Sequence, residues 1–136
     1  MKKALKVIAI IAAIAAVAVA AYDSNHGTHV AGIIGAVRTN DLGIKGVADN
    51  ILIMGVRNTP NGDERDKDVA NGIRYAVDNG ARIINMSFGK NYKWDKVVVD
   101  EAIKYAEQKG VLLVHAAGND NLNNDKADVF PTKYYD

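Results

Sequence analysis

The fold class of this chain is set by one stretch, DKDVANGIRYAVDNGARIINM, residues 66–86. Its first part repeats apolar side chains at helical spacing, which places on one face Val69, Ile73, Ala76 and Val77. Asn79-Gly80 then supplies a helix stop. The apolar run Arg82 to Met86 has the length of a strand. The stretch therefore predicts a helix over 66–78 followed by a strand over 82–86.

Similar units lie on both sides of this stretch. Residues 51–56 and 111–114 are short apolar runs that predict strands, and residues 26–37 predict a helix rich in small side chains. Residues 94–108 predict a helix whose apolar face holds Val98, Ala102, Tyr105 and Ala106. Strands that alternate with helices predict an α/β fold with a mostly parallel sheet. Chemistry in such sheets lies beyond the carboxyl ends of the strands.

Composition excludes several classes of protein. The formal net charge is +1 over 136 residues, which gives no electrostatic basis for binding nucleic acid. Cysteine is absent from the sequence, which excludes a disulfide framework, a thiolate zinc site and a cysteine nucleophile. The sequence also lacks the glycine-rich signatures of nucleotide-binding loops, which makes a nucleotide-binding domain an unfavoured alternative.

The amino terminus has the composition of a targeting segment. Three lysines precede an uncharged run from Val7 to Tyr22, and small residues stand at Ala18 and Ala20. This pattern predicts a secretory signal peptide, with a membrane anchor as the main alternative. A buried strand or helix, or a foreign segment joined to the chain, is the remaining interpretation. We therefore predict a leader over residues 1–21 and a domain over residues 22–136. The predicted location is secreted or in the cell envelope, with membrane contact through residues 1–21 if the leader is retained as an anchor.

The segment HGTHVAG, residues 26–32, is similar to the histidine motif of the subtilisin-like serine proteases. The resemblance implies that His26 is the general base, a role that suits an imidazole with a pKa near neutrality. The segment IINMSFG, residues 83–89, resembles the family's edge for extended peptides, which implies substrate contacts from Ser87, Phe88 and Gly89. The segment AAGN, residues 116–119, resembles the oxyanion segment. It implies that Asn119 is the oxyanion donor and that substrate is also bound by Ala116, Ala117 and Gly118.

The resemblance covers residues 23–120 and implies a partial subtilisin-like fold of three layers. It further implies a serine endopeptidase that hydrolyses peptide bonds through an acyl-enzyme, with peptides or proteins as partners. No cofactor is implied for catalysis. A structural calcium ion is an open expectation, because Asn40 and Asp41 lie in a loop that coordinates calcium in some members of the family.

Two of the family's motifs are not found in the 136 residues. No V-I-D-[ST]-G precedes His26 and no G-T-S-M-A follows Asn119, and neither Ser24 nor Ser87 stands in the nucleophile motif. We do not assign the aspartate's role to Asp23. The expectation is a chain that is inactive and prone to aggregate when made alone. The alternative is a peptide-binding relative without catalytic activity, secreted or membrane-anchored.

The remaining histidines have simpler interpretations. His29 forms an H-x-x-H pair with His26, but no third ligand follows at a suitable spacing, so no metal site is predicted. His115 stands where the resemblance implies a small residue, and we predict that it packs at the edge of the cleft.

Overall fold

A computed structural model describes residues 14–18, 24–58, 64–90, 92 and 94–126. Helices alternate with strands along these residues, as the sequence predicted. In chain order the elements are β1 (Ile14–Ala18), α1 (Ser24–Gly35), β2 (Leu52–Val56), α2 (Asp66–Asp78), β3 (Ile83–Met86), α3 (Lys96–Gln108) and β4 (Leu112–His115).

The strands form one parallel sheet in the order β2-β1-β3-β4. The register places Ala16 beside Met54 on one side and beside Ile84 on the other. Ile84 in turn pairs with Leu113. The predicted α/β class with a parallel sheet is therefore correct.

Strand β1 lies within the segment that the sequence predicts to be a leader. Ile14–Ala18 occupies an inner position of the sheet, between β2 and β3. A run of Ala, Val and Ile suits a parallel strand enclosed by neighbours as well as it suits a leader. The function of residues 1–21 as a leader stays a prediction. Within the described part of the chain, no helix has both the length and the apolar character needed to cross a membrane.

Helices α2 and α3 pack on one face of the sheet and enclose the core. The predicted face of α2 is confirmed, since its four apolar side chains are all buried. The predicted face of α3 is rotated, because Val99 and Ile103 are buried with Ala102 and Ala106. Val98 and Tyr105, which the sequence placed on that face, are only partly buried at its edge.

Helix α1 lies against the opposite face of the sheet. Met54 and Val56 of β2 contribute to the core beneath α2, whereas Ile51 and Ile53 contact Gly35 of α1. Because successive side chains of a strand point to opposite faces, α1 and α2 lie on different sides of the sheet. The result is the predicted partial three-layer arrangement.

The chain after α1 returns along its carboxyl end. The N–H groups of Gly46, Val47 and Ala48 donate to the carbonyls of Ala36, Ile33 and Ile34 at 3.0, 2.9 and 2.8 Å. These bonds satisfy carbonyls that a helix end leaves without a partner. The contact is close, since a Cβ on Gly46 would lie 2.4 Å from the nitrogen of Ala36.

Candidate active site

The carboxyl ends of β3 and β4 bring two of the predicted segments together. Met86 pairs with His115, and one residue further on the N–H of Ala116 donates to the carbonyl of Met86 at 3.2 Å. Residues 87–89 and 116–119 therefore leave the sheet side by side. This is the position at which parallel sheets bind their ligands.

A pocket of about 270 Å³ opens between these two segments. Its lining includes all six residues that the sequence predicted to bind substrate, together with the predicted oxyanion donor: Ser87, Phe88, Gly89, Ala116, Ala117, Gly118 and Asn119. Asp120 and Leu122 also line it and were not predicted. Their position directly after Asn119, in the loop that follows β4, was the signal that could have identified them.

His26 lies in the first turn of α1 and reaches the pocket wall from the other face of the sheet. Its Nε2 atom is 3.1 Å from the carbonyl oxygen of Ser87. A carbonyl can only accept, so Nε2 carries the proton and donates it. The structure thus joins the predicted base to the predicted substrate edge.

Hydrogen bonds within each segment support the pocket. The amide of Asn85 donates to the hydroxyl of Ser87 at 2.7 Å. On the other wall, the amide of Asn124 donates to the carbonyl of Ala117 at 2.9 Å. Asn124 therefore holds the backbone of one wall, and Asn85 orients the Ser87 side chain of the other.

His115 packs behind the pocket wall, as the sequence predicted. Its ring meets that of Phe88 edge to face, with centroids 6.1 Å apart and planes at 80°. Its Nδ1 atom lies 2.6 Å from the carbonyl of Ala116. Burial lowers the pKa of the His115 imidazole, and hydrogen bonds to the carbonyls of Ala116 and Phe88 only partly oppose this. The neutral form is therefore favoured.

Asn119 is exposed at the pocket, with its side chain open to an incoming group. It follows Gly118, whose φ of 93° turns the backbone after β4. An exposed amide at such a turn can donate to an oxygen that becomes negatively charged during acyl transfer. The role of Asn119 as oxyanion donor stays a prediction.

The predicted calcium loop can also be placed, and His29 lies exposed on α1. Asn40 Oδ1 accepts from the N–H of Leu42 at 3.1 Å, and Asp41 has a φ of 54°. Among the residues that the structure describes, no group of three or more His, Cys, Asp or Glu side chains could hold a metal ion. The structural calcium ion stays a prediction.

Comparison with known proteins shows the family of the chain. The profile of the subtilase family matches residues 12–136. The chain is 44% identical over 112 residues to the thermophilic serine proteinase of Bacillus sp. strain AK1, an alignment that covers 82% of this chain and 27% of that protein. It is 43% identical over 97 residues to thermitase from Thermoactinomyces vulgaris, covering 71% of this chain and 34% of thermitase.

A solved structure supports the same relationship. The S41 psychrophilic protease superposes with a TM-score of 0.68 at 26% identity, covering 82% of this chain and 48% of that one. The chain belongs to the subtilase family. It spans about a third or less of the length of the two curated relatives named above.

Proposed function

We propose that this chain carries the histidine and the peptide-binding edge of a subtilisin-like serine endopeptidase. The observation that carries the proposal is the hydrogen bond from His26 Nε2 to the Ser87 carbonyl beside the pocket lined by residues 87–89 and 116–119. In the reaction, His26 would accept the proton of a serine hydroxyl and return it to the leaving amine. Asn119 would stabilise the oxyanion.

The geometry of His26 sets a condition on this role. The ring nitrogen that would act as base donates to Ser87, so its lone pair is not available to a nucleophile. Catalysis then requires His26 to leave the Ser87 carbonyl, either by rotation of its ring or by a shift of α1. The arrangement is a resting state of the base.

The wall residues suit the binding of an extended peptide. Residues 87–89 follow a strand directly, so their backbone groups can pair with a substrate in the manner of an added strand. Phe88 and Leu122 supply apolar lining, and Asp120 supplies a negative charge. The proposed substrates are therefore peptides or proteins in extended conformation.

The chain by itself would bind peptides without cleaving them. Neither the family's aspartate motif nor its serine motif is found in the sequence, so the 136 residues hold no assigned nucleophile. The second candidate is a secreted or membrane-anchored relative that retains the groove and lacks the chemistry, and the pocket between residues 87–89 and 116–119 supports it equally. A secreted or cell-envelope location is proposed from the composition of residues 1–21.

The test combines a binding and a turnover measurement on the purified chain. We expect extended peptides to bind at on the order of micromolar concentrations, with no hydrolysis of a peptide amide. Gly89→Phe should weaken binding because the added ring would occupy space in the pocket that Gly89 lines. Gly55→Phe is the matched control, because no atom lies within 4 Å of a Cβ at that glycine on β2.

Turnover by the purified chain that is abolished in His26→Ala would contradict inactivity of the chain alone. Equal binding by the two phenylalanine variants would contradict the proposed groove. The intact mass of the native protein separates the two candidates. A mass at least about twice that of this chain would favour the endopeptidase, whereas a mass equal to this chain's would favour the binding module.

A further inference from the structure

Lys90, in the loop between β3 and α3, forms a buried ion pair with Asp66 of α2 that the proposed reaction does not use. Lys90 Nζ lies 2.5 Å from Asp66 Oδ1, and the two side chains are only 7% and 2% exposed. Charges that are withdrawn from water to this extent need further hydrogen bonds to offset their lost hydration.

Three further residues of the chain supply those bonds. Lys90 Nζ also donates to the carbonyl of Glu64 at 2.8 Å. The second oxygen of Asp66 accepts the N–H groups of Trp94 at 2.9 Å and Asp95 at 2.6 Å. Asp66 is the first residue of α2, and Asp95 immediately precedes α3. The ion pair therefore ties the start of both helices to the loop that contains Lys90.

The balance of interactions keeps Asp66 ionised. Burial alone raises the pKa of its carboxyl. The hydrogen bonds from Lys90, Asp95 and Trp94, together with the charge of Lys90, outweigh burial and lower the pKa below its ordinary value. Asp66 is therefore ionised at neutral pH.

The position of Lys90 connects this pair to the pocket. Lys90 follows Ser87, Phe88 and Gly89, which line one wall. At its start this wall is held by β3, where Met86 pairs with His115. Within the wall, the Ser87 carbonyl accepts from His26 and the Phe88 ring packs on His115. Beyond Gly89, the Lys90 side chain joins the far end of the wall to the start of α2. Loss of this anchor would loosen the far end of the wall.

We propose that the Lys90–Asp66 pair is a positioning pair, which fixes the pocket wall and thereby sets how strongly the pocket selects among peptide side chains. The proposal rests on the proposed peptide-binding function. Neither residue lines the pocket, so both act through Ser87, Phe88 and Gly89.

The test measures selectivity, which a merely structural role would leave unchanged. Two extended peptides are matched except at one residue, which is leucine in one and glycine in the other. We expect the full chain to prefer the leucine peptide. Lys90→Met should reduce the ratio of the dissociation constant of the glycine peptide to that of the leucine peptide about tenfold. Lys96→Met is the control, because it removes a partly exposed pair with Asp100 and leaves the wall anchored.

A double variant separates positioning from the cost of an uncompensated charge. Lys90→Met leaves the Asp66 carboxylate buried without its cation, which lowers stability. Asp66→Asn combined with Lys90→Met removes both charges, so the unfolding midpoint should recover while the selectivity stays low. Recovery of the selectivity together with the midpoint would overturn the proposal, as would equal weakening of both peptides by Lys90→Met.

Hydrogen exchange keeps the proposal testable if no peptide binds. Absence of binding by the unaltered chain would overturn the proposed function and the selectivity role that rests on it. The anchoring itself is read from the amides of residues 87–90, which should exchange faster in Lys90→Met than in Lys96→Met. Unchanged exchange at these amides would overturn the anchoring, whatever the peptides do.

Discussion

The two parts of the candidate site are held in place by different forces. Among the residues whose burial the structure describes, the pocket half, residues 64–126, contains every buried apolar core residue except Val56. Both halves expose large apolar side chains, which in the histidine half, residues 24–58, are Ile33, Val37, Leu42, Ile44, Val47, Leu52 and Ile53. The peptide-binding walls therefore rest on a buried core, to which the described side chains of the histidine half contribute one buried residue, Val56.

The histidine half is organised by its backbone. Three N–H groups of residues 46–48 bond to the carboxyl end of α1, and Gly46 allows the two segments to approach closely. A backbone hydrogen bond contributes less to stability than burial of a Val or Ile side chain. We infer that the histidine half opens more readily than the pocket half.

The largest expected loss of stability comes from a cavity created in the pocket half. Ile73 is 1% exposed, so Ile73→Ala should lower the free energy of unfolding by about 2–5 kcal/mol. The same change at Ile44, which is 57% exposed, should stay within about 0.5 kcal/mol. Urea unfolding of the two variants measures the difference. Equal losses would show that the histidine half has a core of its own.

A smaller effect is expected from crowding the backbone contact of the histidine half. Gly46→Ala would place a Cβ 2.4 Å from the Ala36 nitrogen, and relief of that clash should cost about 1–3 kcal/mol. Hydrogen exchange should become faster in α1 and stay unchanged in α2. Gly55→Ala, which meets no atom within 4 Å, is the control. Faster exchange in both helices would mean that the two halves open as one unit.

The turn before Asn119 gives the corresponding test in the pocket half. Gly118 has a φ of 93°, a backbone conformation that residues with a side chain rarely adopt. No atom lies within 4 Å of the place where an added Cβ would stand. Gly118→Ala should cost about 1–2 kcal/mol through backbone strain alone. Because the strain lies at the pocket, peptide binding should weaken while the exchange of α1 amides stays the same. A variant with unaltered binding would show that the turn tolerates alanine.

The smallest expected effect on stability comes from the titration of His115, which is partly buried. The pKa of His115 is lowered from its ordinary value of 6.5, so the unfolded chain binds a proton before the folded chain does. Stability should therefore be constant above about pH 6.5 and fall as the pH drops below it, until the folded form also titrates. Urea midpoints between pH 7.5 and about 5 measure this slope. His115→Leu should flatten the slope, and an unchanged slope in that variant would contradict the assignment.

Local signals explain which parts of the fold could be predicted. The bounds of α2 were correct because an apolar face and the Asn79-Gly80 stop agree with each other. The face of α3 was misplaced because Val98 and Val99 are equally apolar, and only the packing against α2 and the sheet selects Val99. Strand β1 was only a secondary interpretation, because its composition fits a leader as well as a strand.

The candidate site was predictable where a motif extends over several residues. All the pocket residues that the sequence proposed do line one pocket, because two strand ends carry them to the same edge of the sheet. The Lys90–Asp66 pair had no such signal. Two charged residues far apart in the sequence give no indication that they will be buried together, since that depends on how α2 and the β3–α3 loop meet.

The inner position of β1 also has a consequence for synthesis. Residue 16 leaves the ribosome long before Met54 and Ile84, with which it pairs. At about 5–20 residues per second, an apolar strand waits on the order of several seconds for its second neighbour. During that interval the helices of the pocket half cannot yet shield it. A chaperone or an export factor that binds short apolar segments would therefore meet this chain before its sheet exists.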